Sequence, residues 1–398
     1  MTRILAVLGP FLSFVIWANA HSNDPEYIAR RDAQGVVASR ALAFCAGESN
    51  FQDLMTQSVT RRLEKALDLK ARRNSGNAEE AFAESAESPT LSARGLDELE
   101  AFQRIPHRMN LSDVDINTDP ATLFATNVSC ILTTETVVGP LYVAGEFIRQ
   151  NLTEDQVGVP LHLEIQFINV KTCKPASGLG VDTWGANATG VYSGIITGGN
   201  GRGDKDPANA QRNFLRGVQI TDDDGIVSFD TIFPGPYTNR PSHTHIMVHS
   251  NISRLDNGSY TPGQISHVGQ LFYEDRLRRD LAKLHPYNTI RLPFVSNTAD
   301  VFARGHSDNN YDPLVKYVYL GKNLSDGILA WISVGIDPDA DHTADVALEA
   351  AKTLGAVPNP SKYPKLGSKN AGEGGSADYE KAVLVVALLV CFGTMAFI

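Results

Sequence analysis

The chain has 398 residues, a formal net charge of −10, 42% hydrophobic residues and 8% aromatics. That acidic balance argues against a nucleic-acid partner, whose phosphates recruit clustered Lys and Arg. The length accommodates one sizeable globular domain with appendages, and the composition is ordinary for such a domain.

Residues 1–20 read as a secretory signal: Arg3 begins it, residues 4–17 are largely apolar, and Ala18-Asn19-Ala20 is a small-x-small cleavage site. Residues 21–112 form a helical segment and a linker. Within 21–73, Met55, Val59, Leu63 and Leu67 repeat at i, i+4 and predict a helix whose ridge packs on the main domain or on a second subunit. Arg61, Arg62 and Lys65 lie off that ridge and read as solvated surface. Residues 74–94 turn to Ala, Glu, Ser and Gly, a linker composition.

Residues 113–337 are predicted to be mainly β, an antiparallel β-sandwich core behind the N-terminal helical segment. Residues 161–167 alternate apolar and polar as a half-buried strand does. Residues 218–221 and 226–229 flank the turn Asp222-Asp223-Asp224-Gly225 and predict a hairpin; no calcium-loop spacing follows the acidic run. Further strands are expected at 181–184, 244–248, 267–272 and 289–292. Residues 338–381 hold a short helix over 344–354 and a Pro/Gly/Ser-rich stalk. Residues 382–398 are apolar and follow a polar spacer, the pattern of a GPI-anchor signal with attachment near Asn370 or Gly372. The alternative is a short tail-anchoring helix.

Seven N-x-S/T sequons, at Asn110, Asn127, Asn151, Asn187, Asn251, Asn257 and Asn323, fit an extracellular glycoprotein held at the cell surface or wall. Asn187 lies close to Tyr192, where access is poor. Of four cysteines, Cys391 leaves with the tail, and Cys45, Cys130 and Cys173 allow one disulfide with one thiol over. No Cys-x-x-Cys pair supports a thiolate zinc site.

The most informative motif is Phe233-Pro-Gly-Pro-Tyr237-Thr-Asn-Arg240-Pro-Ser-His243-Thr-His245. Histidines at i and i+2 project from one face of a strand, and a Gly/Pro turn presents a tyrosine just before them. Tyr192 ends a second motif, Val181-Asp-Thr-Trp184-x-x-Asn187-x-x-Gly190-x-Tyr192. Two imidazoles and two phenolic oxygens make a hard N2O2 set suited to trivalent iron. His249 continues the strand face and reads as surface or as support behind the pair; His267 sits in the strand leading to Gln270. His21 would head the mature chain, but nothing else follows the pattern of an N-terminal copper brace.

Both motifs resemble the metal signature of the intradiol ring-cleavage dioxygenases, in their secreted fungal branch. Over residues 129–336 the similarity includes Gly139-Pro-Leu-Tyr142, Phe214-Leu-Arg-Gly217, His267-Val-Gly-Gln270 and Tyr317-Val-Tyr-Leu-Gly321. Gly185 and Ala186 stand where that branch carries His and Cys, and Pro236 where a bulkier residue is common. The resemblance implies Fe(III) held by Tyr192, Tyr237, His243 and His245. It implies that Tyr237 is the ligand that leaves and takes a substrate proton, while Tyr192 stays bound. Arg240 would stabilise negative charge on the substrate and Gln270 would hydrogen-bond it. The substrates implied are a catechol-type diol and O2, the products cis,cis-muconate-type diacids, with a trihydroxybenzene such as hydroxyquinol as the alternative diol. A homodimer through the N-terminal helices is also implied. The reading from a different class is a non-catalytic, lipid-anchored surface protein that binds phenolics or glycans.

Overall fold

A computed structural model of the chain describes residues 41, 44–45, 47–73, 96–109, 130–131, 138–307 and 312–343. The leader, the linker, the 344–354 helix, the stalk, the tail, Asn110 and Asn127 lie outside the described residues. Among the described residues no helix is long and apolar enough to cross a membrane.

Two sheets carry the domain. Among the described residues four helices of a full turn or more lie against or around them: α1 (Ser49–Arg73), α2 (Leu96–Arg104), α3 (Asp275–Leu281) and α4 (Val301–Ser307). The larger sheet combines β1 (Cys130–Ile131), β2 (Pro160–Asn169), β3 (Lys174–Pro175), β6 (Ile226–Ile232), β11 (Lys316–Tyr319) and β12 (Ile328–Ile336). The smaller runs β10-β7-β4-β5, from β4 (Gly180–Gly185), β5 (Arg216–Ile220), β7 (His243–Ser250) and β10 (Gln264–Phe272), antiparallel throughout. A ribbon of β8 (Ser253–Arg254) and β9 (Tyr260–Thr261) stands apart. The sandwich expected from alternation is present. In the larger sheet β12 runs parallel to β2, a pairing that alternation does not encode.

Between the sheets, Leu163, Ile165 and Phe167 of β2 meet Val181, Ile246, Val248 and Leu271 of the smaller sheet. Contrary to the half-buried expectation, the other face of β2 is also covered: His162, Glu164 and Gln166 are buried. The cover is α1. Its Val59 and Leu63 pack on Val318, Leu320, Leu329 and Trp331. The ridge therefore packs on the chain's own sheet, the first of the two partners expected for it. Arg62, read as solvated, is 2% exposed. Three residues after Val59, it shares the helix face toward the sheet, and its Nε pairs with Glu164 Oε1 at 2.8 Å. A disulfide between Cys45 and Cys173 fastens the start of this segment to the hairpin end of β2.

Two strand expectations fail. Residues 218–229 do not form a hairpin: β5 pairs with β4, whereas β6 pairs with β2 in the other sheet. The acidic turn is the corner between sheets, where Asp222 Oδ1 accepts the amides of Asp224 and Ile226. Gly225 there has φ +72°, and a Cβ on it would sit 2.4 Å from the Phe167 carbonyl oxygen. Arg61 bridges Asp222 and Asp224 at 2.7 and 3.1 Å, which partly neutralises the turn. Residues 289–292 form no strand. A 3-10 turn at Tyr287–Thr289 precedes them, and Pro286 and Pro293 withhold ladder donors on either side.

Candidate metal centre

The face of the smaller sheet turned away from the core builds the site through register. His245 of β7 lies directly opposite Trp184 of β4 on one side and Gln270 of β10 on the other. Trp184 in turn lies opposite Arg216 of β5. Residues directly across an antiparallel pair share a face, so Arg216, Trp184, His245 and Gln270 form one row. His243 stands two residues along from His245 on that face.

Tyr192 and Tyr237 come from the two loops laid over this row, and glycines set how closely those loops approach. Gly190 has φ +81°, and a Cβ there would lie 2.2 Å from the Pro236 carbonyl oxygen; one on Gly235 would lie 2.5 Å from that of Ala188. The Asn187 side chain is occupied in this packing. Its Oδ1 accepts the amides of Thr189 and Val191, and its Nδ2 donates to Gln156. This accounts for the poor access expected at that sequon.

All six residues singled out in the sequence are brought together. His243 Nδ1–H donates to the Pro241 carbonyl at 2.7 Å, leaving Nε2 as a lone pair. That Nε2 lies 3.1 Å from His245 Nε2 and 3.4 Å from the Tyr237 hydroxyl. The Tyr192 and Tyr237 rings meet edge to face at 5.2 Å, and the Tyr192 hydroxyl, fully buried, makes no hydrogen bond of normal geometry. His245 is oriented by stacking, with Trp184 parallel to it within 6° at 4.7 Å.

Electrostatics follow from the dryness of the site. Burial, with Arg240 adding to it, holds both imidazoles well below the usual histidine range, so they are neutral. Burial raises the Tyr192 phenol well above its usual value, with Tyr237 adding to it, and burial raises Tyr237 as well. Two neutral imidazoles and two phenols that ionise only beside a strong Lewis acid fit a hard trivalent cation. The unpartnered Tyr192 hydroxyl and the facing nitrogens are what such a cation would satisfy.

Beside this set, Arg240 Nη1 donates to the Tyr237 hydroxyl at 3.3 Å and Nη2 to Gln270 Oε1 at 2.7 Å. Gln270 Nε2 is buried without a partner. Sequence reasoning missed Asp300, whose carboxylate pairs with Arg240 and whose Oδ1 accepts the amides of Phe302 and Ala303. The signal available was only an Asp before a short helix, which reads as a cap. It also missed a polar cluster behind the site. Tyr142 and Tyr260 hydroxyls donate to Asp182 Oδ2 at 3.3 and 2.9 Å, and Tyr260 lies 3.4 Å from His249 Nε2. His249 is thus buried support, with its pKa lowered to about 4 by burial.

Residues 137–262 match the family model described as dioxygenase, a stretch holding Tyr192, Tyr237, His243 and His245. This segment is similar to the intradiol ring-cleavage dioxygenases. The chain is 31% identical over 146 residues to catechol 1,2-dioxygenase 1 of Acinetobacter lwoffii, covering 31% of this chain and 43% of that relative. The chain therefore spans less than half the length of that relative. An intradiol ring-cleavage dioxygenase from Tetranychus urticae is 28% identical, with 54% of this chain and 98% of that one covered and a TM-score of 0.44. Catechol 1,2-dioxygenase from Pseudomonas arvilla C-1 is 20% identical, with 52% and 64% covered and a TM-score of 0.34.

Proposed function

We propose that this chain is an extracellular, non-haem Fe(III) intradiol dioxygenase that cleaves catechol-type diols with O2 between the two hydroxyl-bearing carbons. The observation that carries this reading is the convergence of Tyr192, Tyr237, His243 and His245 beside the part-buried Arg240–Gln270 pair. Iron held by those four side chains would supply the Lewis acidity and redox activity that couple the diol to O2.

The chain's own residues do the rest. Tyr237 keeps a hydroxyl contact to Arg240 and is 7% exposed, against 0% for Tyr192. It is the phenolic oxygen placed to take a proton from an incoming diol hydroxyl, while Tyr192 stays in place. Arg240, fixed by Asp300, faces charge developing on the substrate. Gln270 Nε2 has a donor to offer the substrate. The leader, the sequons and the apolar tail support a lipid-anchored location at the cell surface.

Iron content, visible absorption and oxygen uptake with a panel of catechols and trihydroxybenzenes test the reading. Expected are a coloured protein with about one iron per chain and diol-dependent oxygen uptake. A colourless chain that cannot be reconstituted with Fe(III) would sink it. Iron-loaded protein that binds catechols without consuming oxygen would favour the non-catalytic binder. Release from membranes by a phosphatidylinositol-specific phospholipase tests the anchor.

A further inference from the structure

Arg216 belongs to the site row but has no part in the proposed chemistry. It is 1% exposed, and a guanidinium that cannot shed its charge is costly to bury without a purpose. Its hydrogen bonds go to neutral acceptors. Nε and Nη2 donate to the Ser193 carbonyl at 3.0 and 2.8 Å, Nε also to Ser193 Oγ at 3.2 Å, and Nη2 to the Leu141 carbonyl at 2.7 Å. The Glu146 carboxylate, equally buried, stands 3.9 Å from Nε as a long ion pair without a hydrogen bond, and Asp182 adds a second negative charge nearby. The guanidinium carbon stands 6.0 Å from the Tyr192 ring centroid, the outer edge of a cation–π contact.

Holding the Tyr192 main chain does not require Arg216. Asn200 Oδ1 accepts the Tyr192 amide at 2.7 Å, and the side-chain amides of Asn200 and Asn209 donate to its carbonyl at 2.9 and 2.8 Å. Besides the Glu146 and Asp182 carboxylates, the group that the guanidinium faces is the Tyr192 side chain. We infer that Arg216 is a positioning residue for Tyr192: a buried cation that pins the adjacent Ser193 and supplies countercharge to Tyr192 as an anionic metal ligand. The inference rests on the iron reading above. Arg216 acts through Tyr192, as a positioning residue and not as a substrate contact. Leu141, its other anchor, precedes Tyr142, which packs on Trp184 at 5.0 Å, so the same clamp draws residues 141–142 over the row.

The test compares the full chain with Arg216→Met, Arg216→Lys and Glu146→Gln, each stripped and refilled with Fe(III) at one pH against a competing chelator. Iron affinity, the visible phenolate-to-iron absorption and the melting temperature of the metal-free protein are read together. Arg216→Met should lower iron affinity about tenfold or more and shift the absorption band. Arg216→Lys, which keeps the charge, should recover part of both, and Glu146→Gln should bind iron at least as tightly as wild type. Wild-type affinity and band in Arg216→Met would overturn the inference, as would equal losses in the Lys and Met variants. Should Arg216→Met fail to fold, weaker iron binding by Glu146→Gln overturns it. A wild-type chain that takes up no iron overturns the functional reading and this inference with it; an iron-binding wild type with an indifferent Arg216→Met overturns the inference alone.

Discussion

The buried Tyr192 hydroxyl separates folding from metal binding at the scale of one residue. A buried polar group without a normal hydrogen bond costs about 1–3 kcal/mol. Tyr192→Phe should therefore leave the melting temperature of the metal-free protein unchanged or raised, while iron retention and colour are lost. Retention of both would count against Tyr192 as a ligand. Asp300 has two roles that substitution can part. Asp300→Asn keeps an oxygen to cap α4 but loses the charge holding Arg240, so kcat should fall about tenfold or more with little change in stability. Asp300→Ala should show the same loss of rate plus about 1 kcal/mol of stability for the cap. Urea titration and steady-state oxygen uptake would resolve the two. The His243–His245 pair was legible because its spacing is local, two residues along one strand, whereas Tyr192 and Tyr237 entered through the resemblance of their motifs. Asp300 was not, since 60 residues separate it from Arg240 and only the fold joins them.

Helix α1 shows what periodicity conveys about an element and what it does not. The i, i+4 ridge of Val59 and Leu63 marked the buried face correctly, but its partner sheet was not written there. Arg62 was misread because a charged side chain on a helix is usually solvated. Here it meets Glu164 and Gln166, whose polar positions on β2 would face water without the helix above them. Arg62→Ala leaves Glu164 buried and unpaired and should cost about 3–5 kcal/mol in equilibrium unfolding. The double change Arg62→Met with Glu164→Gln should recover much of that loss. A double variant no more stable than Arg62→Ala would mean the helix, not the ion pair, carries the effect. The failed hairpin has the same origin: Asp222 to Gly225 encode a tight turn, yet whether its two strands pair depends on sheets formed by distant segments.

At the scale of the molecule, His107 ties three distant stretches together. It follows α2, its Nδ1 lies 3.3 Å from Glu274 Oε2 after β10, and its Nε2 lies 2.7 Å from Asp312 Oδ2 before β11. Burial pulls its pKa down, but hydrogen bonds and charge from Asp312 and Glu274 outweigh that and push it up to about 9. The folded value is above the ordinary 6.5. The stabilisation is therefore complete below about pH 6.5 and is lost as pH rises through about 9. Melting temperature should fall over that window, and His107→Gln should flatten the fall; an identical fall in both proteins would refute the assignment. Strand alternation and the His-x-His spacing determined, from the sequence alone, a β-sandwich with two imidazoles on one face of a strand. Alternation reports which face is buried, and i, i+2 spacing fixes two imidazoles on one side of a strand. Only the tertiary structure decided the parallel β2–β12 ladder, the helix over β2, the cross-sheet row from Arg216 to Gln270 and the Asp300 and His107 pairs. Each of these joins residues far apart in sequence, and their contact depends on register and packing that no local pattern carries.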